Sequence, residues 1–387
     1  MCDTLCRLRG DRTLFAKNSD RPVGERQLLE TYPSRPAGGE LRVTHVTIPD
    51  DGACAVLGSR PEWCWGFEHG VNEHRVAIGN EKVWTVDDPR DVEPALIGMD
   101  LVRLGLERAR SADQAIQVVT QLLERHGQGG DCEAGGEPYW SSFLVTDPHG
   151  AWVLETSGST WAARRVEDAA AISNRIILGT DWERASGDVP PGADFDTWRD
   201  PAVPTAIGDV RLAVTRPAVV TTETPAEMAG VLRDHGRAPW GTIGDTQTVP
   251  PPHALADDFT GISVCMHLRD YQTTAASMIA ELPELGGVLR AWIGLASPCS
   301  SIFLPVFPPD LAPVELADPA TCDRFDRLAR RAESDVDALD AIRAVTAPVE
   351  LALWEDADDV AGDPVARRAF VERCWPPVDA ALRSLGV

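Results

Sequence analysis

The sequence predicts an α+β fold in which helices cover β-sheets. Apolar and polar residues alternate near the start, where Cys2–Leu8 and Thr13–Ala16 flank a turn at residues 9–12 and predict a hairpin. Two segments with apolar residues at helical spacing follow, at residues 94–110 and 111–127. Because strand patterns occur at both ends with helices between them, and not in regular βαβ alternation, the sequence favours sheets with helices packed on them.

The composition restricts the function classes. The 387 residues are 43% hydrophobic, and 36 basic against 60 acidic residues leave a formal net charge of −24. Such an acidic surface repels phosphate, so we expect no nucleic-acid partner. No run approaches the ~18 apolar residues of a membrane-spanning helix, and the start has no secretory-signal pattern. We therefore expect a cytoplasmic protein without a membrane partner, in which the nine cysteines are mostly free thiols. The composition leaves a homo-oligomer open.

The remaining elements follow from the same patterns. A Thr-Pro start predicts a helix at Thr224–His235. Residues 18–39 and 188–209 are rich in turn formers and predict irregular structure. Beyond Pro308-Pro309 the composition shifts towards Ala, Asp, Arg and Leu. We therefore divide the chain into a main domain, residues 1–308, and a helical C-terminal extension, residues 309–387, that packs on it. Further strands are predicted at Leu41–Ile48, Ala53–Leu57, Arg75–Gly79, Ser142–Thr146, Ala151–Glu155, Trp161–Val166, Ala171–Ser173, Thr260–His267 and Ser301–Pro305, and further helices near Thr273–Glu281, Cys322–Val345 and Pro364–Leu385.

Cys2 is the first candidate for chemistry. Methionine aminopeptidase removes Met1 when a small residue follows, and Cys2 would then carry both a thiol and a free α-amine. The thiol titrates near pH ~8.5 and the amine near ~8, so the amine can act as a base for the thiol of the same residue. The alternative is an ordinary buried thiol at the start of a strand.

Four further polar residues lie where they can assist Cys2. Lys17 and Asp20 end the predicted hairpin, so a cation and a carboxylate can lower the pKa of the thiol and orient the amine. Asn80 and Asn174 stand at the ends of predicted strands, and an amide NH₂ is a neutral donor for a developing oxyanion. The alternatives are a solvated charged turn for the first pair and turn or cap residues for the asparagines.

These residues belong to a longer pattern of stretches, which are Met1–Thr4, Lys17–Arg21, Ser59–Pro61, Trp63–Gly66, Gly70–His74, Ile78–Glu81, Gly98–Leu101, Leu122–Gly130, Val153–Thr156, Ile172–Asn174, Val264–His267 and Thr273–Met278. In these stretches, taken in order from the start to about residue 305, the chain resembles the secernin and C69 dipeptidase family of N-terminal-nucleophile (Ntn) hydrolases. The layout is more distantly similar to the cysteine Ntn amidases that cleave bile-salt conjugates and penicillin V.

The resemblance implies a four-layer αββα Ntn-hydrolase sandwich, with two stacked antiparallel sheets between helical layers. Cys2 is then the nucleophile, and Asp20 holds its α-amine. Asn80 and Asn174 match the positions that complete the oxyanion site. Lys17 stands where the amidases carry an arginine, which keeps the charge without the bidentate fork.

The implied function is hydrolysis of an amide or peptide C–N bond. A cysteine dipeptidase or amidase of this kind is a thiol protease that forms a thioester acyl-enzyme with a small peptide or acylated-amine substrate. Two alternatives stay open. One is an acyltransferase or specialised amidase of a biosynthetic pathway, and the other is a non-catalytic, secernin-like interaction protein.

We expect no metal and no organic cofactor, because the chain supplies nucleophile, base and oxyanion donors. Cys265 and His267 could ligate a metal, but no further ligands stand at zinc-site spacing, so packing at a strand end is favoured. Cys6 is a rival nucleophile only if processing removes residues 1–5. The late catalytic arginine of the amidases has no clear counterpart near residues 273–278.

Overall fold

Two β-sheets form the centre of the structure. The computed structural model describes residues 1–235, 262–269, 271–309, 311–335 and 337–387. The strands are β1 (Cys2–Arg9), β2 (Arg12–Pro22), β3 (Gln27–Tyr32), β4 (Glu40–Arg42), β5 (Thr47–Pro49), β6 (Val56–Pro61), β7 (His69–Asn72), β8 (Ala77–Val83), β9 (Trp140–Asp147), β10 (Gly150–Ser157), β11 (Thr160–Val166), β12 (Ala169–Ile172), β13 (Arg184–Ala185), β14 (His267–Leu268), β15 (Gln272–Pro283), β16 (Arg290–Leu295) and β17 (Leu304–Val306).

Both sheets are antiparallel. Within the described residues, seven strands form one sheet in the order β12-β1-β2-β15-β16-β17, with β14 beside β15. Eight strands form the other sheet in the order β13-β11-β10-β9-β8-β7-β6-β3, and β4 pairs with β5 separately. The inner faces of the two sheets meet where β1 lies against β8, β9 and β10.

Helices cover the outer faces of both sheets. They are α1 (Gly98–Arg108), α2 (Ala112–His126), α3 (Ala206–Thr221), α4 (Pro225–Leu232), α5 (Pro319–Ser334), α6 (Ala338–Val360), α7 (Pro364–Arg373) and α8 (Trp375–Ser384). α1 and α2 pack on β7 to β10, whereas α3 and α4 pack on β1, β2, β12 and β15. The chain therefore forms four α/β/β/α layers, and the predicted fold class is confirmed. None of the described helices is long and apolar enough to cross a membrane.

The second helix begins and ends where its sequence predicts. The Ser111 hydroxyl accepts from the backbone N–H of Gln114 (3.2 Å), which satisfies one of the free donors at the start of α2. Gly127 ends the helix with a positive φ of 73°, and its N–H donates to the Leu123 carbonyl (2.9 Å). The buried face of α2 then packs on β9 and β10.

The C-terminal helices extend the core beside the seven-stranded sheet. α5 contacts β3 and β16, and α6 contacts β17. Phe325, Ile342 and Phe370 from these helices are buried in one cluster with Phe307. Apolar residues from both sides of residue 308 therefore share one cluster. The division into a main domain and a C-terminal extension at this residue stays a prediction.

The segment Thr273–Glu281 is a strand, so the predicted helix there is wrong. It lies within β15, which pairs with β2 on one side and β16 on the other. The α4 helix covers one face of β15 and β7 lies against the other, so almost every residue of the strand is buried. A strand buried on both faces lacks the alternation of apolar and polar residues by which strands are recognised.

The two segments predicted to be irregular contain regular structure. β2 continues into residues 18–39, and the whole of β3 lies there. The α3 helix begins inside residues 188–209 and was not predicted, because it has no side-chain N-cap and contains Pro217. Its position matters for function, since α3 packs on β1 at the start of the chain.

Two predicted strands differ in detail. The predicted strand Leu41–Ile48 is a hairpin, in which β4 and β5 pair through Leu41 and Ile48. Of the predicted strand Thr260–His267, residues 260 and 261 lie outside the described residues. The described part contains only the start of β14, at His267.

Candidate active site

The start of β1 places Cys2 at the inner face of the seven-stranded sheet. The residue is 4% exposed. Its sulfur lies 4.0 Å from Glu68 Oε2 and 4.0 Å from the backbone oxygen of Asp20. Residues two apart on a strand share a face, so Cys2 and Thr4 point the same way, and the Thr4 hydroxyl donates to Glu81 of the facing sheet.

Lys17 places a buried positive charge beside this thiol. Its ammonium donates to the backbone oxygen of Asn80 (2.5 Å) and lies 3.5 Å from Glu81 and 3.8 Å from Glu68. Burial opposes the charge, but Cys2 and the two carboxylates together raise the pKa of Lys17. Burial raises the pKa of the Cys2 thiol, and Lys17 is the strongest group opposing that rise. Lys17 therefore favours the thiolate form of Cys2.

Asp20 lies near the backbone nitrogen of Cys2. Its Oδ1 accepts from the Thr274 hydroxyl (2.6 Å), and its Oδ2 lies 3.9 Å from Arg211 Nη1. Among the described residues, no hydrogen-bond donor reaches Oδ2. Burial raises the pKa of Asp20 to about 6, against the effects of the chain amine and Arg211. The carboxyl can therefore change its charge close to neutral pH.

Arg211 is a site residue that sequence reasoning did not find. It projects from α3 and is fully buried. Its guanidinium donates to the Cys2 carbonyl (2.8 Å), to Asp3 Oδ2 (2.8 Å) and to Asn174 Oδ1 (2.6 Å). An arginine thus reaches Cys2 from a helix and not from residues 273–278. No local motif marks it, because its position depends on how α3 packs on β1.

Asn174 connects Arg211 to the Cys2 nitrogen. It follows β12, and its Oδ1 accepts from the Cys2 backbone N–H (2.7 Å) as well as from Arg211. Its Nδ2 donates to the carbonyl of Lys82 (2.8 Å). An amide NH₂ has two hydrogens, so Asn174 can hold the Cys2 nitrogen with its oxygen and keep one hydrogen for another acceptor.

Asn80 lies inside β8, although the sequence placed it at a strand end. Its side chain is satisfied when its NH₂ faces Glu68, donating to Glu68 Oε2 (3.2 Å) and to the Glu68 carbonyl (2.9 Å). Glu68 also accepts from Arg21 (2.8 Å). Glu68 therefore links Asn80 to the Cys2 sulfur. It is a second residue that sequence reasoning missed, since it is a single acid outside any predicted strand.

Met1 covers this site. Its amine donates to the Asp20 carbonyl (3.3 Å), and its carbonyl accepts from the Asp20 N–H (2.8 Å). Burial lowers the pKa of the amine. The side chain is 2% exposed. It packs in an apolar cluster with Ile207, Ile262, Met266 and Leu268, against which Trp84, Val203 and Tyr271 pack.

The fold brings all five predicted site residues together around the start of β1, and their individual roles stay predictions. The Cys2 thiol has the Lys17 cation beside it, and the Cys2 backbone nitrogen donates to the amide oxygen of Asn174. This arrangement contains the parts needed for nucleophilic attack on a carbonyl group. The five residues are Cys2, Lys17, Asp20, Asn80 and Asn174.

A second polar cluster lies beyond Thr274. Here the predicted pair Cys265 and His267 meets His235 and Cys299, and all four residues are buried. One nitrogen or sulfur atom from each lies within 4.8 Å of the other three. Spacing along the chain did not indicate this group, because His235 and Cys299 come from distant segments.

Comparison with solved structures matches the chain to a hydrolase and an acylase. A variant of the conjugated bile acid hydrolase from Clostridium perfringens is 12% identical, with 75% of this chain and 88% of that chain covered and a TM-score of 0.42. Penicillin V acylase from Agrobacterium tumefaciens is 10% identical, with 80% and 86% covered and a TM-score of 0.42.

Sequence comparison gives a more specific result. The profile of peptidase family C69 matches residues 55–181, which include Glu68, Asn80 and Asn174. Probable dipeptidase A from Streptococcus pyogenes serotype M3 (strain SSI-1) is 29% identical over 180 residues, or 44% of this chain and 34% of the relative. The same protein from serotype M1 is also 29% identical over 180 residues, so the chain spans about a third of the length of the curated relatives it matches. The similarity to peptidase family C69 thus covers residues 55–181, about a third of the chain.

Proposed function

We propose that the protein hydrolyses an amide bond of small peptides, with Cys2 as nucleophile once Met1 has been removed. The proposal rests on the surroundings of Cys2. Its backbone nitrogen donates to Asn174, and Lys17 lies near the Cys2 thiol. The family match and the relatives described as probable dipeptidases support a peptide substrate.

The surroundings of the Cys2 nitrogen favour an amine that acts as a base. Burial lowers the pKa of the Met1 amine, which lies one residue away. An α-amine released at Cys2 would occupy the same buried region, with Asn174 Oδ1 as an acceptor. A lowered amine pKa keeps the base unprotonated near neutral pH, and this is the form that accepts the thiol proton.

In the proposed reaction, the Cys2 amine takes the thiol proton, and the thiolate attacks the substrate carbonyl carbon. Negative charge moves to the carbonyl oxygen, to which Asn174 donates its free hydrogen and Asn80 donates once it releases one of its two hydrogen bonds to Glu68. As the tetrahedral intermediate collapses, the C–N bond breaks, the leaving amine takes the proton from the Cys2 ammonium, and a thioester remains. Water, deprotonated by the same amine, then releases the acid and restores the thiol.

Met1 indicates the space that the substrate uses. Its removal would vacate a region bordered by Met266 and Leu268 and would free the Asp20 N–H that now donates to the Met1 carbonyl. A cleft of about 430 Å³ lies against Trp84, which also packs on the Met1 cluster. We propose that the substrate enters from this cleft and places an apolar side chain where the Met1 side chain lies.

This geometry predicts a preference for apolar dipeptides. Protein lacking Met1 is expected to cleave dipeptides with an N-terminal methionine or leucine about tenfold or more faster, in kcat/KM, than dipeptides with an N-terminal aspartate. The reason is that an aspartate side chain would lose its hydration among apolar groups. Chromatographic measurement of the released amino acids gives both rates.

The same assay distinguishes the two alternatives. If an added small amine becomes acylated faster than free acid accumulates, the protein is an acyltransferase. If no peptide or acylated amine is cleaved and Cys2 is inert to thiol reagents, the protein is a non-catalytic interaction protein. Equal rates on leucine and aspartate dipeptides would contradict the proposal that the substrate side chain occupies the space of the Met1 side chain. They would not contradict the assignment of Cys2 as nucleophile.

Asp20 predicts that activity and stability change in opposite directions with pH. Burial raises the pKa of Asp20 to about 6. If the ionised carboxylate holds the Cys2 ammonium, log(kcat/KM) falls with a slope of about one below pH ~6. The folded pKa lies above the ordinary value of 3.8, so the native state binds the extra proton. The contribution of Asp20 to stability is therefore present below pH ~4 and is lost as the pH rises through ~6.

Asp20→Asn is expected to remove this dependence and to lower kcat/KM at pH 7 by about 10²-fold. Asp100→Asn is the matched control, because Asp100 is also buried, accepts from Thr44 (2.6 Å) and has its pKa raised to about 6 by burial. The control variant should change the pH dependence of the melting temperature but keep the acid limb of kcat/KM. An unchanged acid limb in Asp20→Asn would show that another group titrates.

A further inference from the structure

The second polar cluster is built from three separate parts of the chain. His235 follows α4, Cys265 and His267 lie at the entry to β14, and Cys299 follows β16. Three of them have no exposed surface, and His235 is 6% exposed. Such a group of thiols and imidazoles is costly to bury unless its polar atoms are satisfied together.

The distances within the cluster fit a tetrahedral metal site. His267 Nε2 lies 3.4 Å from Cys265 Sγ and 3.6 Å from Cys299 Sγ. With Zn–S bonds of about 2.3 Å and Zn–N bonds of about 2.0–2.1 Å, a tetrahedral ion separates its sulfur and nitrogen ligands by about 3.6 Å. The ring of His235 meets that of His267 at an angle of 63°, with centroids 5.1 Å apart. One ligand atom from each of the four side chains thus lies close enough to the others to share one ion.

Glu333 of α5 orients His267 for this role. The Nδ1 atom of His267 lies 2.8 Å from Glu333 Oε1, and Arg269 holds the other oxygen of the same carboxylate. A hydrogen on Nδ1 that is donated to Glu333 leaves the lone pair of Nε2 facing the two thiols. This carboxylate–histidine arrangement is the usual outer support of a zinc-bound histidine.

We infer that His235, Cys265, His267 and Cys299 bind one Zn²⁺ ion as a closed structural site. Two thiolates and two imidazoles are a ligand set that zinc prefers, and binding releases the two thiol protons to solvent. A catalytic role for the Cys265–His267–Glu333 series is disfavoured, because Cys265 and His267 have no exposed surface that a substrate could reach. The inference does not depend on the proposed function.

The site would stabilise the region that supports Asp20. The backbone N–H of Met266, between two of the ligands, donates to the Thr274 hydroxyl (2.9 Å), and that hydroxyl donates to Asp20 (2.6 Å). A zinc ion here would also connect α4, β14 and the segment after β16, while Glu333 adds α5. Its role is to hold these elements together, and the reaction at Cys2 does not pass through it.

Metal analysis of the purified 387-residue chain tests the inference. We expect about one equivalent of zinc per chain by elemental mass spectrometry. Cys265→Ser and Cys299→Ser should each lose that zinc and melt at a lower temperature. Cys374→Ser is the matched control, because Cys374 is also buried but lies outside the cluster, where its thiol contacts the Val371 carbonyl. This variant should keep the full zinc content.

A second measurement covers the case in which the serine variants do not fold. Wild-type protein, stripped by a chelator under reducing conditions, should bind one Co²⁺ ion and develop the visible absorption of tetrahedral cobalt with a sulfur-to-metal charge-transfer band. Added Zn²⁺ should abolish both bands. The inference fails if the purified chain carries no stoichiometric metal and the cobalt bands do not appear. It also fails if peptide mapping finds Cys265 and Cys299 joined in a disulfide.

Discussion

Cys2→Ala is expected to lower kcat/KM by about 10³-fold or more while the protein stays folded. Among the described residues, the sulfur makes long contacts of 4.0 Å with Glu68 and with the Asp20 carbonyl and lies beside the Lys17 ammonium, so its loss removes weak contacts. Removal of the thiol also relieves the burial of a titratable group, and we expect a stability change within about 1–2 kcal/mol. Initial rates on the best dipeptide, together with the melting temperature, measure both effects.

Cys6→Ala is the control for this prediction. Cys6 lies on the same face of β1, is fully buried, and has its pKa raised to about 12 by burial. The variant should keep most of its turnover, because none of the residues that the structure describes places a cation beside Cys6 to favour a thiolate. Comparable losses in Cys2→Ala and Cys6→Ala would mean that both act through packing, and the nucleophile assignment would then be wrong.

Processing gives an independent check of the same mechanism. While Met1 is attached, the Cys2 nitrogen is part of a peptide bond and cannot accept a proton. Activity should therefore be proportional to the fraction of molecules that intact-mass spectrometry shows without Met1. Full activity in a preparation that retains Met1 would rule out the α-amine as base.

The β1–β2 hairpin explains why the sequence predicted part of the site. The hairpin is local, and its register pairs Cys2 with Ser19 and Thr4 with Lys17. Any residue near the end of β2, such as Asp20, must then lie beside Cys2. Turn and strand patterns over about twenty residues are sufficient for that inference.

Arg211 and Glu68 could not be predicted in this way. Arg211 reaches the Cys2 carbonyl only because α3 packs on β1, and Glu68 reaches the sulfur only because the two sheets face each other. Both contacts depend on long-range packing and leave no periodicity in the chain. For the same reason, the sequence did not predict that His235 and Cys299 lie beside Cys265. The other two members of that cluster, Cys265 and His267, could be recognised as a pair because they are two residues apart.

Asn174→Ala and Asn80→Ala are expected to lower kcat by about 10²–10³-fold, or roughly 2.7–4 kcal/mol, with little change in KM. An oxyanion exists only in the transition state, so its donors do not contribute to substrate binding. The comparison is Asn72→Ala, because Asn72 is equally buried and its NH₂ donates to the carbonyls of Leu106 and Ala109 at the end of α1. That variant should lose about 1–3 kcal/mol of stability and turn over normally in the folded fraction.

Asn174→Asp separates the two functions of Asn174. Aspartate keeps an oxygen that can accept from the Cys2 nitrogen and from Arg211, but it has no NH₂ to donate to an oxyanion. If the donor matters, Asn174→Asp loses kcat as Asn174→Ala does. If the oxygen alone matters, because it positions the amine, Asn174→Asp keeps kcat within about tenfold and instead shifts the pH profile. Early melting with normal turnover in both alanine variants would show that the asparagines only maintain the fold.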